Sequence, residues 1–248
     1  MTLAAVLSSV AGRVSYLRAS EATDGNDWLG CDRLVADPTT LVDTVHRTKA
    51  GFDTDDDAVA ASLFTQAYAF RVSGVALAAY ALDLPIPNVV PAATAVRVDK
   101  PRPSAVAYLD ADVRLCETSV FASQLLGGHM APFIESVHGQ FRVGTRLLWG
   151  NVAGSCATAF RAVESSGADA ARVRVRAEEF FAAAQEWFEG LGQFTTVENA
   201  GRDGWFWDRA SCCLWFRTAR EQLCDNCSLI DAAELHARRL REIAEAVS

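Results

Sequence analysis

Lysine is almost absent from this 248-residue sequence: of its 23 basic residues, only Lys49 and Lys100 are lysines, and the rest are arginines. The 31 acidic residues outnumber the basic ones, and the formal net charge is −8. Because nucleic acids and anionic membranes attract cationic surfaces, this balance disfavours sequence-independent binding to either of them. We therefore expect an ordinary globular chain with no nucleic-acid partner.

The sequence also lacks a long uninterrupted apolar run. Its most apolar stretch, VSGVALAAYALDLPIPNVV, contains Asp83 and two prolines. It falls short of the roughly 20 consecutive apolar residues that a membrane-spanning helix needs. The opening residues, MTLAAVLSSVAGR, have no basic segment before their apolar part, so they predict a short amphipathic helix and not a targeting signal. The expectation is a cytoplasmic protein that is not integral to a membrane.

Familiar catalytic motifs are missing as well. We find no P-loop, no glycine motif for dinucleotides and no Ser/His/Asp arrangement. His129 and His138 lie nine positions apart and do not face each other on one helix, so both are interpreted as structural. Asp110 and Asp112 would share a face of a strand and could form an acid/base pair, but solvated carboxylates at a strand end are the favoured interpretation.

An acidic run at residues 55–57 follows Thr54, a residue type that caps helix N-termini. Carboxylates in the first turn interact well with the positive end of a helix. We interpret Thr54 as the N-cap of a long, buried helix, with a metal site at the acidic run as the alternative.

Helical and strand-like segments alternate along the chain. The first third is mostly helical, and Val- and Ala-rich pieces between several prolines predict short strands. Three further helices are predicted at HMAPFIESVHGQF, VGTRLLWGNVAGSCATAFRAVESSG and residues 168–190. Two strands, QFTTVE and GWFWD, and a closing helix, DAAELHARRLREIAEAV, follow them. The fold class is therefore predicted to be α+β: a compact, helix-rich body with short, mainly antiparallel strands and a C-terminal cysteine-rich segment.

Four of the seven cysteines lie within CCLWFRTAREQLCDNC, at positions 212, 213, 224 and 227. An odd total and a cytoplasmic setting argue against a framework of disulfides. Cys31, Cys116 and Cys156 stand singly in helical or strand-like stretches and are interpreted as buried thiols.

The spacing of the four clustered cysteines makes a geometric demand. A straight ten-residue helix between the two pairs would separate them by roughly 15 Å. For the pairs to share one centre, the spacer LWFRTAREQL must fold back, and the backbone at Cys212–Cys213 must leave the extended form. The Asp-Asn pair between Cys224 and Cys227 favours a tight turn.

Four thiolates suit either a structural zinc ion or an iron–sulfur cluster. Zinc sites usually have two Cys-x2–4-Cys pairs, each of which wraps one tetrahedral ion. Adjacent cysteines wrap a single ion less readily, but they can be directed to a larger two-metal centre. This favours iron–sulfur over zinc and leaves zinc as the alternative.

The pattern Cys-Cys-x10-Cys-x2-Cys close to the C-terminus resembles the motif of the FhuF-like ferric siderophore reductases. RLLWGNVA at Arg146–Ala153, which follows the HMAPFIESV helix, is also similar to the central region of that family. The chain has a comparable length. The resemblance covers about the last half of the sequence, and Trp149 and Asn151 lie within it without an assigned role.

The resemblance implies a [2Fe-2S] cluster held by Cys212, Cys213, Cys224 and Cys227, and an oxidoreductase that releases iron from ferric siderophores, with no catalytic group beyond the cluster. It further implies a body over residues 1–203 and a cluster-binding segment over residues 204–248, packed on that body. Because no flavin or nicotinamide motif is found, the electron donor is expected to be a separate ferredoxin or flavin reductase. The alternatives are a non-redox, ligand-binding protein with a four-cysteine zinc site, and a ligand-binding relic such as those in siderophore synthetases.

Aromatic and basic residues flank the cysteines. The aromatic residues could shield the cluster or support an organic chelate, with packing as the favoured interpretation: Trp205, Phe206, Trp207, Trp215 and Phe216. Arg209, Arg217 and Arg220 could attract an anionic chelate or neutralise the thiolates, or they could simply be solvated.

Overall fold

The computed structural model of the protein describes residues 1–219 and 222–245. Helices account for most of this part of the chain. They are α1 (Leu3–Arg13), α2 (Cys31–Ala36), α3 (Pro38–Gly51), α4 (Asp57–Ala81), α5 (Thr118–Ala122), α6 (Ala131–Phe141), α7 (Thr145–Glu164), α8 (Ala170–Ala183), α9 (Gln185–Phe188) and α10 (Ala232–Glu245), with a π-helical stretch (Ser123–Met130) and 3-10 turns at Pro91–Ala93 and Trp215–Arg217.

The long helix α4 is the centre of the body, and most of its residues are buried. Its N-cap is Asp56, whose carboxylate accepts from the backbone N–H groups of Ala58 and Val59. The prediction of Thr54 as the cap was therefore wrong by two residues. Thr54 instead accepts from the N–H of Asp56 and so supports the residue that caps the helix.

Helix α7 packs along α4 through polar contacts as well as apolar ones. The side-chain amide of Asn151 donates to the backbone oxygen of Ser62 at 3.0 Å. One turn further along, the hydroxyl of Ser155 donates to the backbone oxygen of Gln66 at 3.0 Å. These bonds fix the position of α7 along α4. The cysteine segment packs on both helices, so its binding surface depends on this position.

Short strands complete the fold. They are β1 (Ala19–Ser20), β2 (Trp28–Gly30), β3 (Ile86–Pro87), β4 (Thr94–Arg97), β5 (Ala105–Tyr108), β6 (Val113–Arg114), β7 (Gly192–Asn199) and β8 (Arg202–Arg209). A four-stranded sheet has the order β1-β5-β4-β2, β3 pairs with β6, and β7 and β8 form a hairpin. In the described residues β1–β5 is the only parallel pair. The predicted α+β class with mainly antiparallel strands is confirmed.

A second local prediction, one helix over residues 168–190, differs from the structure, whereas the acid/base pair was already the disfavoured interpretation of Asp110 and Asp112. Residues 168–190 form two helices and not one, because the backbone leaves the helical region at Ala184. Asp110 lies in the turn after β5, where it accepts from the side chain of Asn88 and from the N–H of Asp112. These bonds make Asp110 a turn-forming residue and do not support an acid/base pair.

The hairpin β7–β8 closes one side of the body with aromatic packing. Trp205 stacks on Phe194 with ring centroids 3.8 Å apart, and Trp207 packs against Phe181 at 4.8 Å. The predicted boundary between residues 203 and 204 falls within β8, and the division into two domains stays a prediction. In the described part of the chain, none of the helices combines the length and the apolar character needed to span a bilayer.

Candidate metal centre

Strand β8 delivers the chain to the four cysteines. At its end, Arg209 is only 7% exposed, and two residues later Ser211 approaches helix α7. The approach is possible because residue 150 is a glycine: a Cβ there would lie 1.9 Å from Ser211 Oγ. The cysteine segment thus begins in close contact with the RLLWGNVA helix.

The spacer between the two cysteine pairs folds back, as the spacing predicts. Leu214, directly after Cys213, has φ 66°, a left-handed conformation that turns the chain sharply. A 3-10 turn over Trp215–Arg217 follows. As a result, Cys213 Sγ lies 3.7 Å from Cys224 Sγ although eleven positions separate the two residues.

Cys224 and Cys227 flank a tight turn. The N–H of Cys227 donates to the carbonyl oxygen of Cys224 at 3.1 Å, which closes the turn over Asp225 and Asn226. A second bond of the same kind follows, in which the N–H of Ile230 donates to the carbonyl oxygen of Cys227. The turn predicted from the Asp-Asn pair is confirmed.

Contacts and electrostatic interactions link the four cysteines to one another. Cys213 contacts Cys224, Cys212 interacts with both Cys213 and Cys227, and Cys224 interacts with Cys227. Yet no three His, Cys, Asp or Glu side chains of residues 1–219 and 222–245 are placed to hold one metal ion. Two thiolates bound at about 2.3 Å to one tetrahedral metal lie roughly 3.7 Å apart. The 3.7 Å between Cys213 Sγ and Cys224 Sγ is therefore the separation expected of two thiolates that share a metal.

The hydrogen bond between the thiols of Cys213 and Cys224 shifts their pKa values in opposite directions. The pKa of the Cys213 thiol is lowered to about 6, chiefly by its hydrogen bond with Cys224, with the charge of Arg209 acting in the same direction. The pKa of Cys224 is raised by the same hydrogen bond and by partial burial. Burial raises the pKa of Cys212. The N–H of Leu214 donates to the Cys212 sulfur at 3.3 Å and acts in the opposite direction, lowering this pKa. Backbone donors to sulfur are typical of iron–sulfur sites.

Buried hydrogen-bond donors without partners adjoin the cysteines. Arg209 Nε and Ser211 Oγ are both inaccessible to solvent and have no acceptor in the described residues. Leaving such groups unpaired costs about 1–3 kcal/mol each. An anionic, acceptor-rich group at the cysteines, such as a cluster with thiolate and sulfide ligands, would supply the missing acceptors and the negative charge.

A chain of hydrogen bonds anchors the segment to α4 and α7. The hydroxyl of Ser62 donates to the backbone oxygen of Cys213 at 2.7 Å. Asn151 donates to Ser62 Oγ at 2.9 Å, and its oxygen accepts from Arg209 Nη2 at 2.6 Å. Asn151, which had no role assigned from sequence, is the centre of this chain of hydrogen bonds, and Ser62 was not predicted at all.

One of the four cysteines, Cys224, lines an open cavity of about 570 Å³. Its wall includes Phe206 and Trp207 on one side and helix α10 on the other. Cys213 and Cys227 are each only 2% exposed, whereas Cys212 and Cys224 are partly exposed. Cys224 is thus the partly exposed cysteine that also lines this cavity.

The other residues predicted near the site have ordinary structural partners. Trp205, Phe206 and Trp207 are buried, which supports packing. Arg217 forms an ion pair with Asp56 at 2.6 Å, so its charge is already matched. Trp215 packs edge-on against Phe52, and Trp149 packs against Phe188. Phe216 is partly exposed, and Arg220 lies outside the described residues.

Two of the three isolated cysteines are buried as predicted, whereas Cys116 is partly exposed. Cys31 and Cys156 are fully buried, and burial raises their pKa values to about 11 and about 12. His129 is buried between the Tyr68 hydroxyl and the backbone oxygen of Val89, and His138 contacts the backbone oxygen of Val143. These contacts agree with the structural roles predicted for both histidines.

Comparison with protein families identifies the segment. Residues 209–229 match the family model described as the FhuF 2Fe-2S C-terminal domain. The match includes all four clustered cysteines, together with Arg209 and Ser211. The resemblance predicted from the cysteine spacing is confirmed for this segment, which is a [2Fe-2S]-binding domain. A search of curated proteins gives no match to the chain.

Proposed function

We propose that this [2Fe-2S] protein is a ferric-siderophore reductase, with Cys212, Cys213, Cys224 and Cys227 as the ligands of the cluster. The observation that carries the proposal is the position of Cys224. It lies within the matched [2Fe-2S] segment, its sulfur is 3.7 Å from that of Cys213, and it also lines an open cavity. A ferric chelate in this cavity would be adjacent to a cluster ligand.

The substrate proposed is Fe(III) in a hydroxamate-type siderophore, in the cytoplasm. When bound, the cluster supplies one electron at a time, which converts Fe(III) to Fe(II). Hydroxamate oxygens are hard ligands that hold Fe(III) far more tightly than Fe(II), so this reduction alone loosens the complex. No proton has to be abstracted and no nucleophile is required, which agrees with the lack of a catalytic triad in the sequence.

The residues of the chain contribute position and charge. Cys213 and Cys227 are shielded from solvent, whereas Cys224 faces the cavity. Arg209 lies within the electrostatic reach of both Cys213 and Cys224, where its charge offsets that of the thiolates. The cavity volume of about 570 Å³ lies within the usual range for small-molecule sites. The electron donor is proposed to be a separate ferredoxin or flavin reductase.

Cluster content and reductase activity can be tested together. Protein purified without oxygen should contain iron and acid-labile sulfide, absorb visible light and give an EPR signal after reduction with dithionite. Cys224→Ser should lose the visible absorption and the reduction of a ferric trihydroxamate, whereas Cys116→Ser, which changes a thiol outside the cluster segment, should keep both. A colourless protein with one zinc per chain would support the alternative of a non-redox ligand-binding protein instead. Retained reductase activity in Cys224→Ser would refute the proposal.

The need for a separate donor has its own test. Mixing the oxidised protein with NAD(P)H alone should leave its visible spectrum unchanged, because no nicotinamide or flavin motif is present in the sequence. Addition of a ferredoxin or flavin reductase should then bleach the spectrum. Rapid bleaching by NAD(P)H without a second protein would contradict this part of the proposal.

A further inference from the structure

A second cavity, of about 310 Å³, opens beside helices α4 and α7. Phe70 and Arg71 of α4 and Arg102 of the β4–β5 loop line it. Ser155 and Thr158 of α7 complete the wall. Thr158 also lines the larger cavity that reaches Cys224, so the two cavities meet at this residue.

The two arginines of this second cavity have no acidic partner. In the described residues, neither Arg71 nor Arg102 forms an ion pair or a hydrogen bond, and their contacts are with aromatic rings. Arg71 lies over Phe70 at 5.6 Å, and Arg102 lies over Phe52 at 5.6 Å. Guanidinium groups that stack on rings keep their N–H donors free for another acceptor.

The arginines around the larger cavity are different, because each of them is paired with a carboxylate. Arg161 pairs with Glu242 at 2.7 Å, and Arg239 pairs with Asp208. The two remaining arginines, Arg238 and Arg241, both pair with Glu234. Among the described arginines that line the two cavities, Arg71 and Arg102 are therefore the ones without a carboxylate partner.

Placing two cations side by side is unfavourable unless an anion joins them. Arg71 is half-buried, and its pKa is lowered by this burial and by the nearby charge of Arg102. Two guanidinium groups that converge on one small cavity form the donor arrangement that binds a carboxylate or another anionic oxygen group. Arg102 is also linked to the cysteine segment, since Phe52, the ring beneath it, packs against Trp215 at 5.3 Å.

We propose that Arg71 and Arg102 form an anion subsite that binds a carboxylate carried by the ferric chelate, while the iron-bearing part of the chelate occupies the cavity next to Cys224. The inference rests on the proposed reductase function and names the substrate class more narrowly: hydroxamate chelates with a free acidic group. An acidic electron-transfer protein would also be attracted to two arginines. A concave site of about 310 Å³ suits a small ligand group better than a protein surface, so the chelate is the occupant that we infer.

Two synthetic chelates separate the charge from the rest of the ligand. The ferric complexes of N-acetyl- and N-succinyl-desferrioxamine B share the same trihydroxamate iron site, and only the succinyl form carries a terminal carboxylate. Binding of each to the oxidised holoprotein is measured by calorimetry at low and at moderate salt. The succinyl complex should bind about tenfold more tightly, the effect of a charge-assisted hydrogen bond at a partly buried site. Salt should reduce the difference.

Charge-matched variants assign the difference to the two arginines. Arg71→Gln/Arg102→Gln should bind both chelates equally, and each single variant should give an intermediate preference. The control Arg13→Gln/Arg47→Gln removes the same charge from exposed positions on α1 and α3 and should keep the tenfold preference. Visible absorption of the cluster and a thermal melt verify that each variant is folded.

Equal binding of the two chelates by the wild-type protein, or binding of neither, would overturn the subsite. The subsite is also overturned if the double variant keeps its preference for the succinyl complex. If the double variant loses only its reduction by a ferredoxin, Arg71 and Arg102 bind the electron donor and not the chelate. Failure of the proposed function has a different appearance: the succinyl complex binds more tightly, but dithionite-reduced protein transfers no electron to either chelate.

Discussion

Arg209 Nη2 donates to the side-chain oxygen of Asn151 at 2.6 Å, within a part of the protein that is closed to solvent. No carboxylate of the described residues pairs with this guanidinium, and its Nε has no acceptor there. A buried cation is costly unless a negative charge lies nearby. The charge of Arg209 acts on Cys213 and Cys224, so a cluster bound by these cysteines, as proposed, would supply its counter-charge.

Replacing this cation should change the redox potential of the cluster. Arg209→Gln removes a positive charge that favours the reduced, more negative state, so the potential should become more negative. One charge several ångströms away, at an effective dielectric constant of about 20, corresponds to a change on the order of 100 mV. An EPR-monitored redox titration of wild-type and variant holoprotein measures this difference.

Arg217→Gln is the matched control for that titration. Arg217 belongs to the same segment but is half-exposed and paired with Asp56, so solvent and its partner screen its charge. Its loss should shift the potential much less. An unchanged potential in Arg209→Gln, or an equal shift in both variants, would show that the buried guanidinium does not act on the cluster.

Asn151 should be important for stability as well as for position. Asn151→Leu keeps a side chain of similar size but leaves the backbone oxygen of Ser62 and the guanidinium of Arg209 without this partner. Each unpaired buried group costs about 1–3 kcal/mol. The melting temperature should fall by roughly 5–10 °C for a chain of this size, measured by circular dichroism with the cluster bound.

A second asparagine provides the comparison for Asn151→Leu. Asn199 makes one partly exposed hydrogen bond, to the backbone oxygen of Leu240, so Asn199→Ala should lower the melting temperature by only a few degrees. If both variants melt together, the hydrogen-bond chain through Asn151 has no special stabilising role.

Much of the cysteine site could be predicted from its sequence because the relevant constraints are local. The Asp-Asn pair favours a turn between Cys224 and Cys227, and the ten-residue spacer had to fold back for the two pairs to meet. The partners of the segment could not be predicted in this way. Ser62 lies 151 positions before Cys213, and it bonds to a backbone oxygen, which leaves no trace in residue type.

The fold shows the same contrast between local and long-range causes. The α+β class and the two strands QFTTVE and GWFWD follow from residue patterns. The helix break at Ala184 does not, because the alanine-rich segment has a high helix propensity on both sides. The position of the α4 cap was missed because Thr54 and Asp56 are both good capping residues, and only the fold determines which one is used.

Gly150 should be required for docking of the cysteine segment. Alanine in the middle of α7 would normally favour the helix by about 1 kcal/mol. At this position, however, the added Cβ would lie 1.9 Å from Ser211 Oγ and 3.0 Å from Ser211 Cβ. Gly150→Ala should therefore push the segment away from α7, with a lower melting temperature and less iron per chain, measured by calorimetry and a colorimetric iron assay.

Two further variants test this explanation of Gly150. Gly154→Ala adds the same methyl group one turn along the helix, where its nearest neighbour, the Arg209 side chain, is at an ordinary distance of 3.6 Å, so iron content should stay at the wild-type level. Gly150→Ala/Ser211→Gly removes the clashing atoms and should recover iron binding. If the double variant remains as poor as Gly150→Ala, the clash with Ser211 is not the cause.

His129 should make the body less stable in mild acid. It is fully buried, and burial lowers its pKa to about 4, against an ordinary value of about 6.5. Between these two values the unfolded chain binds a proton that the folded chain does not, so stability decreases as the pH falls through this window. From pH 7 to pH 5.5 the loss due to His129 is about 1 kcal/mol, or roughly 2–4 °C in melting temperature. His129→Gln should show a correspondingly smaller pH difference, although it is less stable at pH 7 because the bonds to Tyr68 and Val89 are altered.

His46→Gln, on an exposed face of α3, controls for the general effect of replacing a histidine. An identical pH difference in His129→Gln and the wild type would mean that His129 does not govern the acid sensitivity of the fold.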